Sequence, residues 1–293
     1  MIKCIICDLD GTLVTSSDTI EEHTLERLKE AIDSGVEFVI ATGRDINMVV
    51  DVLDRFDIEC TLILNNGTQI RNRSGSFNEM HPMDDDAFIK ISTILNDHHY
   101  LQAIHTTDGM YSLHSANGFW DYHIKLILNG KRDHWKKEED LPDKTFFRKD
   151  KYLRTFHFAK TPQDVLNAGV KVMKIDARHL GGKEVEEVQK LLNIDHLAYS
   201  SSFGENIEIT SDTYNKGKMI QEYIHSKGYK DDEIAVFGDG ENDVEMLGMF
   251  HHSFAPINSC DSAKEKATYN LTKSDITGAV GEGIDLLKEM HLL

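Results

Sequence analysis

The sequence predicts an α/β fold, a Rossmann-like doubly wound parallel sheet core into which an α+β domain is inserted. Three observations predict it. At both ends of the chain, short apolar runs alternate with segments of helical periodicity, the pattern of strand, helix, strand crossovers. Each apolar run finishes in a polar cluster, as parallel strands do where they open onto a crevice. Between the two ends the texture changes: continuous apolar runs thin out, histidines multiply, and both tryptophans appear.

Taken in order, Ile2 to Cys7 is a nearly continuous apolar run, suited to a strand covered on both faces. Leu25, Leu28 and Ile32 share one helical stripe, and Gly35 is placed to end that helix. Val36 to Ala41 forms the second apolar run, so the crossover is right-handed. A helix from about Asp45 to Phe56 leads to the third run, Thr61 to Leu64, which ends at Asn65, Asn66 and Gly67. Far downstream, Met219, Ile220, Tyr223 and Ile224 suit one helix face, and Ile234 to Phe237 forms a strand before Gly238, Asp239 and Gly240. The division expected is a core of residues 1–83 and 209–293 and an inserted domain of residues 84–208.

Composition narrows the function. A chain of 293 residues is long for one compact core, so two domains are expected. Apolar residues make up 40% and no apolar run approaches the roughly 18 residues of a membrane helix. Asp8 follows the N-terminus too closely for a signal peptide, and a cytoplasmic protein is expected. Cys4 and Cys7 have the spacing of half a zinc site, but residues three apart in a strand point to opposite faces and no second pair completes four ligands. A formal net charge of -18 argues against nucleic acid and favours a small substrate. From Lys125 to Arg154 the balance reverses, with ten Lys or Arg against six Asp or Glu. That stretch reads as a solvated face or as electrostatic steering of an anionic substrate.

The four strand ends carry Asp8 and Asp10, then Thr42, Gly43 and Arg44, then Asn65 to Gly67, then Asp239 to Asp243. In an open parallel sheet these clusters converge. One strand-end aspartate is usually a cap or turn former. Four of them, Asp8, Asp10, Asp239 and Asp243, repel one another enough to call for a hard cation with oxygen ligands, and Mg2+ suits a site with few carboxylates. Calcium-loop spacing fails, because positions six and twelve counted from Asp8 are Leu13 and Thr19. A dinucleotide fingerprint fails at Asp243, where it needs glycine. In the inserted domain, Phe119 to His123 suits either a ring-binding pocket or buried packing.

At this point the residues resemble a known family. Asp8 to Leu13 (Asp-Leu-Asp-Gly-Thr-Leu), Thr42 to Arg44, Lys216 within Tyr-Asn-Lys-Gly-Lys, and Gly238 to Asp243 are similar to the four ordered motifs of the haloacid dehalogenase superfamily. Asn65 to Gly67, Ala255, Asn258, Thr277 and Gly278 also resemble its Cof-type phosphatase branch. The resemblance implies a phosphatase acting on small phosphomonoesters (sugar phosphate, nucleotide or cofactor phosphate). Asp8 would be the nucleophile that forms an aspartyl phosphate, and Asp10 the general acid and base. Magnesium would be held by Asp8, the Asp10 backbone carbonyl and Asp239, with Asp243 at or beside that shell. Thr42, Gly43, Lys216 and Asn242 would bind the phosphate. The inserted domain would act as a cap that selects substrate.

Two other readings share these motifs. A phosphomutase uses the same nucleophile but returns the phosphate to substrate, and a phosphometabolite-binding protein would keep the scaffold without turnover. The partner expected is a small phosphorylated metabolite, with no nucleic acid or membrane, and the protein itself is expected to be a monomer or weak homodimer.

Overall fold

The computed structural model of the chain describes residues 1–76, 78–129, 135–141, 145–181, 188, 190–200 and 206–293. These form two compact units, one of Met1–Met80 with Tyr214–Leu293 and the other of His81–Thr213. The second unit extends past residue 208 because its strand Asn206–Ser211 pairs from Asn206 to Thr210 with Val172–Arg178.

The first unit is built on one eight-stranded sheet. Its strands are β1 (Cys4–Cys7), β2 (Glu37–Ala41), β3 (Thr61–Leu64), β4 (Gln69–Asn72) and β5 (Asn78–Met80). In the second unit the chain forms β6 (Leu101–Thr106), β7 (Gly109–Ser112), β8 (Phe156–Phe158), β9 (Val172–Arg178), β10 (Leu197–Ser200) and β11 (Asn206–Ser211). It then returns to the first sheet as β12 (Ile234–Phe237), β13 (His252–Ala255) and β14 (Tyr269–Asn270). The first sheet has the order β14-β13-β12-β1-β2-β3-β4-β5. Its six strands from β14 to β3 are parallel, and β4 and β5 are added antiparallel. The chain winds one way from β1 to β3 and the other way from β12 to β14. The order therefore reverses between β1 and β12, the switch point at which open sheets bind ligands.

Local sequence explains the elements that position this point. Every residue of β1 is buried; Ile5 and Cys7 face one apolar layer, Cys4 and Ile6 the other. Cys4 and Cys7 thus lie on opposite faces, as period-two geometry requires. The stripe of Leu25, Leu28 and Ile32 lies on a helix Glu22–Asp33 that ends before Gly35, which is left-handed at φ +96°. Asp45 caps the helix Ile46–Phe56 through the N–H groups of Asn47 and Met48, at 2.9 and 3.2 Å. Met219, Ile220, Tyr223 and Ile224 are all buried on the helix Lys216–Ser226. The strands of this sheet that no apolar run announced are the edge strands β5 and β14, of three and two residues, and β4 and β13 beside them. Short edge strands bury little and leave a weak pattern.

The second unit holds a six-stranded sheet of order β10-β11-β9-β6-β7-β8, antiparallel except between β7 and β8. On one face of β9, Ile175 and Ala177 pack with Phe88, Ile91 and Leu95 of the helix Asp85–Asp97. The opposite face carries Lys174, Asp176 and Arg178. Lys174 pairs with Glu208 at 3.1 Å, while Arg178 and Asn206 hold the Asp176 carboxylate at 2.5 and 3.2 Å. Phe119 and Trp120 are buried there in an aromatic cluster, and His123 bonds the Phe146 carbonyl at 3.0 Å. Of the stretch 119–123, only Asp121 is exposed and Tyr122 half-buried. The basic stretch Lys125 to Arg154 lies partly outside the described residues, at 130–134 and 142–144; Lys125, Lys136, Lys137, Lys149 and Lys151 within it are exposed. No helix of the described residues is long and apolar enough to cross a membrane.

Burial, reinforced by the Arg178 charge, pushes the His123 imidazole down to about 3 from an ordinary 6.5. The unfolded chain therefore takes up this proton at a higher pH than the folded one. Stability is full above 6.5 and is lost as pH falls toward 3, by about 1 kcal/mol per pH unit. Urea unfolding between pH 7 and 5 is expected to show that slope, with His123→Gln flattening it by about 1 kcal/mol per pH unit. An unchanged slope would mean that His123 titrates normally in the folded protein.

Candidate active site

The site grows from the carboxyl ends of β1, β2, β3 and β12. Asp8 follows β1 directly, and its N–H donates to the Phe237 carbonyl at 2.9 Å, which ties it to β12. The chain must turn away at once to free its side chains. Gly11 does this at φ +83°, where a Cβ would lie 2.6 Å from Asp239 Oδ2. Thr12 Oγ1 donates to Asp239 Oδ1 at 2.7 Å, and the Asn258 amide donates to the Gly11 carbonyl at 2.8 Å. The first and fourth clusters of the sequence are thus bolted together.

Lys216 is the first residue of its helix, whose N-cap, Asn215, accepts from the Lys218 N–H at 2.8 Å. Its ammonium donates to Asp8 Oδ1 at 2.5 Å and to Asp243 Oδ1 at 2.7 Å, with the side chain only 1% exposed. Asp243 Oδ2 in turn accepts the backbone N–H groups of Asp239 and Gly240, at 3.1 and 3.0 Å. One carboxylate therefore orders both the lysine and the turn that presents Asp239. Carboxylate oxygens of Asp8, Asp239 and Asp243 all lie within 4.8 Å of one another.

Burial and then repulsion from Asp243 push the Asp8 carboxyl well up, and Lys216 pulls against them. For Lys216 burial works against the charge, but Asp243 and Asp8 overcome it and raise the ammonium above its ordinary value. Three carboxylates around one ammonium leave an excess of negative charge. The donor set is all oxygen, compact and acidic, so it fits a hard divalent cation such as Mg2+ better than one that seeks sulfur or imidazole.

The third cluster supports the fourth. Asn65 and Asn66 are both left-handed, at φ +50° and +58°, and their N–H groups donate to the Arg44 and Thr42 carbonyls at 3.0 and 3.1 Å. The Asn242 amide reaches the Asn66 side-chain oxygen at 3.3 Å. Thr42 is buried, with its hydroxyl accepting the Arg44 N–H at 3.2 Å. Gly67, at φ +93°, lies so close to the start of the lysine helix that a Cβ would fall 2.3 Å from the Asn215 carbonyl.

Of the residues singled out in the sequence, Asp8, Asp10, Thr42, Gly43, Asp239, Asn242 and Asp243 lie at these strand ends or on the turns that follow them, and Lys216 reaches them from the start of its helix. The side chain of Asp10 departs from the group. Its carboxylate is held by Arg44 instead of joining Asp8, Asp239 and Asp243. Sequence reasoning passed over Arg44 as a contact, along with Thr12 and Asn66. Thr12 and Asn66 stood inside the motifs; Asp18, which also meets Arg44, had no sequence signal because a turn alone brings it there.

Comparison with known proteins places the chain among its relatives. The family model of haloacid dehalogenase-like hydrolases matches residues 5–284. A 5-amino-6-(5-phospho-D-ribitylamino)uracil phosphatase of Bacillus subtilis is 27% identical over 98% of this chain and 98% of its own. A pyridoxal phosphate phosphatase of Escherichia coli is 25% identical, over 94% of each chain. Among solved structures, a haloacid dehalogenase-like hydrolase from B. subtilis superposes with a TM-score of 0.82 at 20% identity, covering 98% of this chain and 100% of that one.

The closeness of Gly67 to Asn215 is testable. Gly67→Ala is expected to lower stability by about 2 to 4 kcal/mol, since both the left-handed backbone and the missing space oppose it. Gly35→Ala, equally left-handed but with nothing within 4 Å, is expected to lose only about 1 kcal/mol. Calorimetric comparison of the two decides the point, because equal losses would mean that the approach to Asn215 constrains nothing.

Proposed function

The chain belongs to the haloacid dehalogenase-like hydrolases, and on that premise we propose that it is a magnesium-dependent phosphatase that forms an aspartyl phosphate on Asp8. The observation that carries this reading is the buried Lys216 ammonium fixed between Asp8 and Asp243 beside Asp239. A ligand-binding protein needs no such nucleophile held against its own desolvation.

With Oδ1 of Asp8 held by Lys216, Oδ2 is the oxygen offered to phosphorus. A bond forms from Asp8 to phosphorus as the ester bond breaks, and Asp10 gives a proton to the departing oxygen. Asp10 then takes a proton from water, which attacks the aspartyl phosphate, releases inorganic phosphate and restores Asp8. Two of the three Lys216 hydrogens face Asp8 and Asp243, and the third serves a phosphate oxygen. The Thr42 hydroxyl, the Gly43 N–H and the Asn242 amide complete the phosphate cradle. Magnesium, held by Asp8, Asp239 and the Asp10 carbonyl with Asp243 alongside, would supply the positive charge that the phosphoryl oxygens require.

The substrate is a small phosphomonoester in the cytoplasm, a sugar phosphate, nucleotide or cofactor phosphate, and the inserted unit selects it. The two curated relatives named above act on a ribityl phosphate and on pyridoxal phosphate, which supports a compact metabolite.

Phosphate release from a panel of such esters tests the proposal. Activity is expected to vanish with chelator and return with Mg2+, and Asp8→Asn is expected to lose at least about 1000-fold. Activity retained in Asp8→Asn would refute the nucleophile. Lys216→Met is expected to lose roughly 100-fold to 1000-fold. Because Lys216 holds the Asp8 carboxyl down, the acid limb of the residual pH profile is expected to move to higher pH; a limb that stays in place would show that Lys216 does not govern Asp8.

A further inference from the structure

Arg44 stands beside the phosphate cradle, yet the mechanism above gives it nothing to do. Its guanidinium forks the Asp10 carboxylate, with Nε donating to Oδ2 at 2.7 Å and Nη2 to Oδ1 at 2.6 Å. Nη2 also donates to Asp18 Oδ1 at 2.6 Å, and Nη1 donates to the Met48 carbonyl at 3.1 Å. The arginine side chain is 11% exposed, against 56% for Asp10. A planar fork on a carboxylate is the geometry that fixes orientation as well as charge.

The second carboxylate is itself anchored. Asp18 sits in a tight turn with left-handed backbone at φ +52°; its N–H donates to the Thr15 carbonyl at 2.9 Å, and its own carbonyl accepts from Arg55 at 2.9 Å. Thr15 and Thr19 close the same turn through their hydroxyls at 2.6 Å. Arg44 is therefore held from Asp18 and Met48 whether or not Asp10 is engaged.

Asp10 stands two residues from Asp8, yet its carboxylate lies on Arg44 and is not one of the cluster formed by Asp8, Asp239 and Asp243. We propose that Arg44 is the positioning residue of Asp10, keeping its carboxylate out of that cluster, and that Asp18 keeps Arg44 in place while Asp10 serves the leaving oxygen. This rests on the reading of Asp10 as the general acid. In the step concerned, Asp8 bonds to phosphorus, the ester oxygen leaves with the bonding pair, and that oxygen takes the Asp10 proton. Misplacing Asp10 slows the step only when the leaving oxygen needs the proton.

The test compares kcat/KM for phenyl phosphate, whose leaving oxygen needs protonation, with 4-nitrophenyl phosphate, whose leaving oxygen needs little. Arg44→Lys keeps the charge but loses the fork, and is expected to fall roughly 10-fold to 100-fold on phenyl phosphate and less than about threefold on 4-nitrophenyl phosphate. Asp18→Asn is expected to show the same split at roughly threefold to tenfold. Circular dichroism identifies a variant that fails to fold, in which case the other decides. Asp10→Asn serves as the reference. If it shows no split, the acid assignment falls and the proposal with it. If it shows the split while the Arg44 and Asp18 variants lose activity equally on both esters, or lose none, the acid assignment stands and the positioning role is overturned.

Discussion

Everything at the strand ends is arranged around one buried ammonium. Lys216 neutralises part of a group of carboxylates that would otherwise repel one another in a crevice with little water. Buried ion pairs contribute little net stability, because desolvation consumes most of the attraction. Breaking one is another matter, since the charge left behind is uncompensated. The arrangement sets a carboxylate whose charge is opposed by burial and by Asp243 next to a cation that favours that charge.

That ammonium is placed by backbone more than by side chains. Its helix begins where the Asn65 to Gly67 turn leaves room, and the two left-handed asparagines exist to hand their N–H groups back to the end of β2. Left-handed backbone at non-glycine residues costs free energy and persists where the surroundings determine it. Here it joins three strand ends into one rigid rim. Gly11 does the same on the other side, where only a missing Cβ lets Asp239 approach the turn that follows Asp8.

The inserted unit follows different rules. One face of its sheet is an ordinary apolar core, while the other pairs the buried Lys174 and Glu208 and the half-buried Asp176 and Arg178 beside an aromatic cluster. Burial opposes the Asp176 charge, yet Arg178 holds the carboxyl down to about 2. Four charges on one sheet face form a specific pattern, because a charge left there without its partner is costly.

How much of this was legible beforehand depended on range. Strands Thr61–Leu64 and Ile234–Phe237, the helix stripes and the polar clusters at strand ends were readable, because hydrophobic period and terminal residue type are local properties. Strand-end position likewise named Asp8, Asp239 and Asp243 as candidates, and the resemblance to the haloacid dehalogenase motifs named Lys216. The edge strands were not readable, being too short to carry a pattern, and neither was the paired-charge face of the inserted unit, whose partners lie 34 residues apart in the case of Lys174 and Glu208. The direction of a side chain was least readable of all. Asp10 stands in the same motif as Asp8, yet its carboxylate points to Arg44, because a left-handed turn at Asp18 and the carbonyl of Met48 hold that guanidinium in place. Residue spacing alone determined which groups reach the ends of the strands. Only tertiary structure decided which of them face one another, since that choice is made by turns and close backbone contacts between segments far apart in the chain.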